Sequence, residues 1–119
     1  MENLVYLAPG GAVLGLLFGA LKARQTAAAP AGDAKMQEIA SQIQEGAMAF
    51  LGREYRVLAV FVVIVAVLLG AANMSGPTQS PVIALSFVMG AVASGLAGYF
   101  GMRVATLANV RTTEAAKKG

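Results

Sequence analysis

The chain has 119 residues, 57% of them hydrophobic and 13% charged, where an average globular domain is about 25% charged. Cysteine and histidine are absent, which excludes disulfides, thiolate chemistry, cysteine zinc sites and imidazole acid–base catalysis. The formal charge is only +3, but no charged residue occurs between Glu2 and Lys22 or between Arg56 and Arg103, a distribution that excludes a small soluble domain, since so short a chain could not cover two such stretches.

Residues 3–21 are uncharged. At about 1.5 Å per residue they reach about 28 Å, close to the roughly 30 Å of bilayer hydrocarbon. Gly11, Gly15 and Gly19 repeat GxxxG on one face, a pattern that lets helices approach closely in lipid. Pro9 is tolerated if the helix begins near Leu7. Glu2 precedes the apolar run and Lys22 and Arg24 follow it, the reverse of a signal peptide. Residues 22–35 read as a loop, alanine-rich with Pro30 and Gly32, and Asp33 reads as the N-cap of the next helix.

Residues 36–55 are amphipathic. Met36, Ile39, Ala40, Ile43, Ala47, Phe50 and Leu51 recur at helical spacing, opposite Gln37, Glu38, Ser41, Gln42, Glu45 and Arg53. No proline intervenes, so this helix is expected to run into a second span, 57–72, rich in Val, Ile and Leu. Residues 73–81, NMSGPTQSP, read as a turn. A third span covers 82–102, with helix expected to about Ala116. Ser86, Gly90, Ser94 and Gly98 form one small-residue stripe on it, and Ala93, Ala97, Gly101 and Ala105 a second. Gly98 is therefore expected at a close helix contact. The fold class is all-α integral membrane: three transmembrane helices, the second extended by an amphipathic stretch, within a larger bundle.

All nine Lys and Arg residues fall between spans one and two or after span three. That places them on the cytoplasmic side, with the N-terminus and the 73–81 turn outside and the C-terminus inside.

Chemistry is sparse. The spans hold no ionisable group, so they offer no proton or ion relay of their own. Gly10-Gly11 is not followed by the lysine and hydroxyl of a phosphate loop. Glu38 and Glu45 share a wet helix face and read as solvation. Arg53, Glu54 and Arg56 read as interface anchors, and Arg103 and Arg111 as orienting charges. Met36, Met48, Met89 and Met102 read as apolar filler. The basic tail is too sparse, and lacks the aromatics, for nucleic acid. No catalytic, cofactor-binding or metal residue is assigned.

Two blocks carry a resemblance. Residues 36–69, MQEIASQIQEGAMAFLGREYRVLAVFVVIVAVLL, and residues 86–116, SFVMGAVASGLAGYFGMRVATLANVRTTEAA, resemble the second and third helices of the membrane-bound, ion-translocating inorganic pyrophosphatases. The short first helix is similar to that family's N-terminus. The resemblance implies hydrolysis of pyrophosphate with Mg2+ on the cytoplasmic side, stimulated in some members by K+. It implies coupling to outward movement of protons or sodium ions, in a homodimer of long many-helix chains seated in a lipid bilayer such as the bacterial inner membrane. Catalytic aspartates and lysines lie on later helices of that family, so none is carried onto this sequence. The chain 1–119 would then be the N-terminal three-helix portion, a fragment that continues past Gly119 into further helices and serves as scaffold. The alternative is a small assembly membrane protein acting by helix–helix packing.

Overall fold

The computed structural model describes residues 7–74, Ser80 and residues 82–117. Three helices follow in order: α1 (Leu7–Ala28), α2 (Ala34–Ala72) and α3 (Val82–Ala116). All three are long and apolar enough to cross a membrane. With about 1.5 Å of rise per residue, α1 is about 33 Å long, α2 about 58 Å and α3 about 52 Å. The two longer helices exceed the hydrocarbon thickness and must emerge from it. The 73–81 turn and the first residues of span one lie mainly outside the described residues.

One expectation is corrected. Residues 22–28, read as loop, are the last two turns of α1, and the link to α2 is only residues 29–33. Lys22, Arg24, Gln25 and three alanines are strong helix formers, so helix persists after the apolar run ends. Lys22 Nζ stands 5.6 Å from the centroid of the Phe18 ring, where the ammonium meets the ring's negative face. The continuity of α2 from amphipathic stretch to apolar span is borne out, as is the reach of α3 to Ala116.

The chain divides into two compact units. Unit 1 comprises Met1–Ser41 and Val104–Gly119. It holds the two most enclosed residues described, Thr106 and Val110, one helical turn apart on α3. Unit 2, Gln42–Arg103, is an antiparallel pair formed by the later part of α2 and the earlier part of α3. Tyr55 meets Gly95 and Gly98 near one end of this pair, and Gly70 meets Ala84 near the other.

Within unit 2 the half-buried residues of α3 are Ala84, Phe87, Val88, Ala91, Gly95, Tyr99 and Met102. The two expected small-residue stripes lie to the side of this face. Ser86, Ser94, Ala93, Ala97 and Ala105 are exposed, and a Cβ added to Gly90 or Gly101 would meet nothing within 4 Å. The side chains with area to bury turn toward α2, and the bare stripes, apart from Gly98 beside Tyr55, are left facing outward. The GxxxG face of α1 is open in the same sense: Gly11, Gly15 and Gly19 have no neighbour within 4 Å of an added Cβ.

Candidate functional site

Chemistry-bearing side chains gather in unit 1 around the link 29–33. A helix leaves its last carbonyls without intrahelical donors, and α1 has no basic residue in its own last turn. Arg111 of α3 supplies the missing donors. Its Nε donates to Ala29 O at 3.1 Å, an Nη to Ala27 O at 3.3 Å and the other Nη to Leu107 O at 2.9 Å. A guanidinium presents several donors in one plane, and its charge lies at the negative end of the α1 dipole. Arg111, read from sequence as an orienting charge, thus ties α3 to the end of α1.

The start of α2 is tied in the same place. Asp33 Oδ1 accepts from Met36 N–H at 2.9 Å, the N-cap expected from sequence. Gln37 Nε2 donates to Gly32 O at 2.9 Å. Gly32 has φ 80°, a left-handed conformation that non-glycine residues rarely adopt. A Cβ there would also lie 2.7 Å from Met36 Sδ and 3.0 Å from a Glu114 carboxylate oxygen. Lys117 closes the cluster, with Nζ 2.9 Å from Glu114 Oε2, 3.7 Å from Asp33 Oδ2 and 2.9 Å from Met36 Sδ. The hydrogen bond to Glu114 raises the Lys117 pKa above its ordinary value; desolvation opposes it, and the charges of Glu114 and Asp33 add to the rise. Met36 is therefore more than filler: it packs where the chain turns.

In unit 2 the notable contact is Tyr55. Its hydroxyl donates to Gly95 O at 2.5 Å, and a Cβ on Gly98 would lie 2.6 Å from the same oxygen. The close contact expected at Gly98 exists, but it is made to a tyrosine hydroxyl and not to a neighbouring backbone. Sequence reading assigns Tyr55 no role, because it stands among Arg53, Glu54 and Arg56, whose charges dominate that run. Gly95 and Gly98, three positions apart on one side of the facing helix, were the available signal.

The chain is similar to known proteins along almost its whole length. Residues 13–119 match the family described as "Inorganic H+ pyrophosphatase". The chain belongs to this family. A Clostridium tetani relative named "Putative K(+)-stimulated pyrophosphate-energized sodium pump" is 44% identical over 98% of the chain and 16% of its own length. A Methanosarcina mazei relative named "K(+)-insensitive pyrophosphate-energized proton pump" is 40% identical over 100% of the chain and 17% of its own length. A Moorella thermoacetica relative, "K(+)-insensitive pyrophosphate-energized proton pump 2", is 42% identical over 92% of the chain and 15% of its own length. The chain thus spans about a sixth of the curated relatives it matches. No solved structure matches.

The expected resemblance to membrane pyrophosphatases is therefore borne out, and the reading as a separate assembly protein is not favoured. Magnesium in pyrophosphatase chemistry calls for converging oxygen ligands, carboxylates above all. Among the described residues no group of three or more Asp or Glu residues converges. Asp33 and Glu114 approach the same point, but Lys117 stands between them. The described residues do not fit a magnesium site. Glu38 and Glu45 are exposed on α2, and neither makes an ion pair among the described residues.

Proposed function

We propose that the chain is the N-terminal three-helix portion, 1–119, of a pyrophosphate-energised ion pump, with spans near 3–21, 57–72 and 82–102, and that it serves as framework. The whole protein would couple hydrolysis of inorganic pyrophosphate to movement of protons or sodium ions across a bacterial inner membrane. Magnesium would be held with the substrate by other parts of the protein, with K+ as an activator in the stimulated class, and two copies would form a homodimer. The N-terminus would lie outside and the C-terminus, with the Arg111 and Lys117 cluster, in the cytoplasm.

The observation that carries this reading is identity of 40–44% over 98–100% of the chain to two proteins named as such pumps. The distribution of cations supports the orientation. No described residue is assigned to the chemical step. The role left for these helices is to brace: α1 is capped by α3, α2 is pinned at its start, and α2 is bonded to α3 through Tyr55.

The test is made on the complete reading frame that contains this sequence, expressed in a bacterial membrane. Inverted vesicles given pyrophosphate and Mg2+ are expected to acidify or to accumulate 22Na+, with pyrophosphate consumed in step. A complete frame yielding membrane-inserted protein with no pyrophosphate hydrolysis would refute the assignment. The 119 residues expressed alone are expected to insert without hydrolysing pyrophosphate.

A further inference from the structure

One face of α2 in unit 2 is an exposed stripe that carries two arginines at one end. Arg53, Arg56, Val57, Val60, Phe61 and Ile64 line a shallow depression on a single helical stripe. Its apolar members are well exposed, from 53% at Ile64 to 64% at Val57. Both arginines sit at one end. Neither guanidinium makes a hydrogen bond or ion pair among the described residues. Glu54 does not compensate them, because residues one and two positions apart do not face each other on a helix. Two like charges three residues apart repel unless an anion lies between them.

We propose that this stripe is a binding site for one anionic glycerophospholipid of the surrounding leaflet. The two guanidiniums hold the headgroup phosphate, and an acyl chain lies along Val57, Val60, Phe61 and Ile64. Guanidinium groups match phosphate oxygens in a bidentate geometry that a hydrated ammonium does not reproduce.

Length supports the same occupant. The uncharged part of α2 begins after Arg56 and ends at Ala72. At about 1.5 Å per residue, Ile64 stands about 12 Å beyond Arg56, close to the middle of that span and to the roughly 15 Å depth of one leaflet. The stripe therefore runs from headgroup level to the midplane, matching an amphiphile with one charged end. A protein helix seated here would have to bring carboxylates to the arginines and apolar side chains below them. A lipid brings both in one molecule and is present at high local concentration.

Residues 1–119 contain no tryptophan, so Val60→Trp in the complete reading frame, with any tryptophan encoded outside these residues replaced by phenylalanine, provides a local probe. The protein carrying it is reconstituted in vesicles of phosphatidylcholine mixed with brominated phosphatidylglycerol, or with brominated phosphatidylcholine. Quenching reports which lipid's chain touches the stripe. Phosphatidylglycerol is expected to be preferred by about fivefold or more, on the basis that each basic residue near an anionic headgroup contributes roughly that factor. Arg53→Gln with Arg56→Gln should bring the preference to about one. A control tryptophan at Leu14, exposed on α1 far from any arginine in sequence, should show no preference in either background. Equal quenching by both lipids at Val60→Trp would overturn the proposal. So would a preference that survives loss of both arginines, and so would absence of quenching by either lipid, which would mean that protein covers the stripe. This readout needs no pyrophosphatase activity, so its failure and failure of the pump assignment are separate results.

Discussion

Replacing Gly98 by alanine probes the Tyr55 contact most directly. The added Cβ would lie 2.6 Å from the Tyr55 hydroxyl oxygen, whereas ordinary contacts begin near 3.4 Å. The hydroxyl must then retreat by about 0.8 Å, the difference between those two distances. Its bond to Gly95 O, 2.5 Å in the native chain, would stretch past the range in which an O–H donor holds well. An interhelical side-chain hydrogen bond in a membrane protein contributes about 0.6 kcal/mol on average and up to about 1.7. Against this, alanine in place of glycine favours helix by up to about 1 kcal/mol in water. The single substitution thus sums two effects of opposite sign and decides little alone. In a Tyr55→Phe background the clash disappears, because the next ring atom, Cζ, is 3.9 Å from the added Cβ. Gly98→Ala should there be neutral or stabilising. The double-mutant cycle should show a coupling of about 1 kcal/mol. The assay is SDS-driven separation of the α2–α3 pair in mixed micelles, followed by excimer fluorescence from pyrenes on one engineered cysteine per helix. A coupling within about 0.3 kcal/mol of zero would refute the contact. Gly98→Leu, which is larger, should loosen the pair in both backgrounds.

Three further outcomes are expected in unit 1. Arg111→Ala should destabilise the end of α1 by about 1–2 kcal/mol, the value of charge-assisted hydrogen bonds only partly enclosed. Arg111→Lys should restore less than half of this, since an ammonium cannot span the Ala27 and Ala29 carbonyls as the fork does; hydrogen exchange at residues 25–29 measures both. Asp33→Ala should cost about 1 kcal/mol through loss of the α2 N-cap, whereas Asp33→Asn should keep the cap and lose only the weak, exposed pairing with Lys117, as read by exchange protection at Met36 and Gln37. The Lys117 pKa is raised in the folded chain, so its contribution is fully present below the unfolded value of about 10.4 and is lost as pH rises through the higher folded value. Protection of residues 29–36 should therefore fall above that pH in the native chain, and Lys117→Gln should remove this step.

Much of the architecture was legible because membrane helices obey short-range rules. Charge-free runs of sufficient length set the spans. The lack of proline between Met36 and Ala72 made α2 continuous, and Asp33 three residues before Met36 marked its start. The end of α1 is not legible in the same way, because the boundary of an apolar run need not be the boundary of a helix. Lys22 to Ala28 stay helical since helix propensity, unlike membrane insertion, does not require apolar side chains.

By itself the sequence determined the class of molecule, the family, the three apolar rods and the sidedness expected of their cations, all of which follow from composition and local spacing. Tertiary structure alone decided which faces are used. Arg111 reaches carbonyls more than eighty positions away in sequence, and Tyr55 finds a glycine carbonyl forty positions away. Small-residue stripes state only that an approach is permitted. Which approach is made depends on where bulky side chains such as Phe87, Val88 and Tyr99 find area to cover, and that is a property of two surfaces meeting, which no single segment encodes.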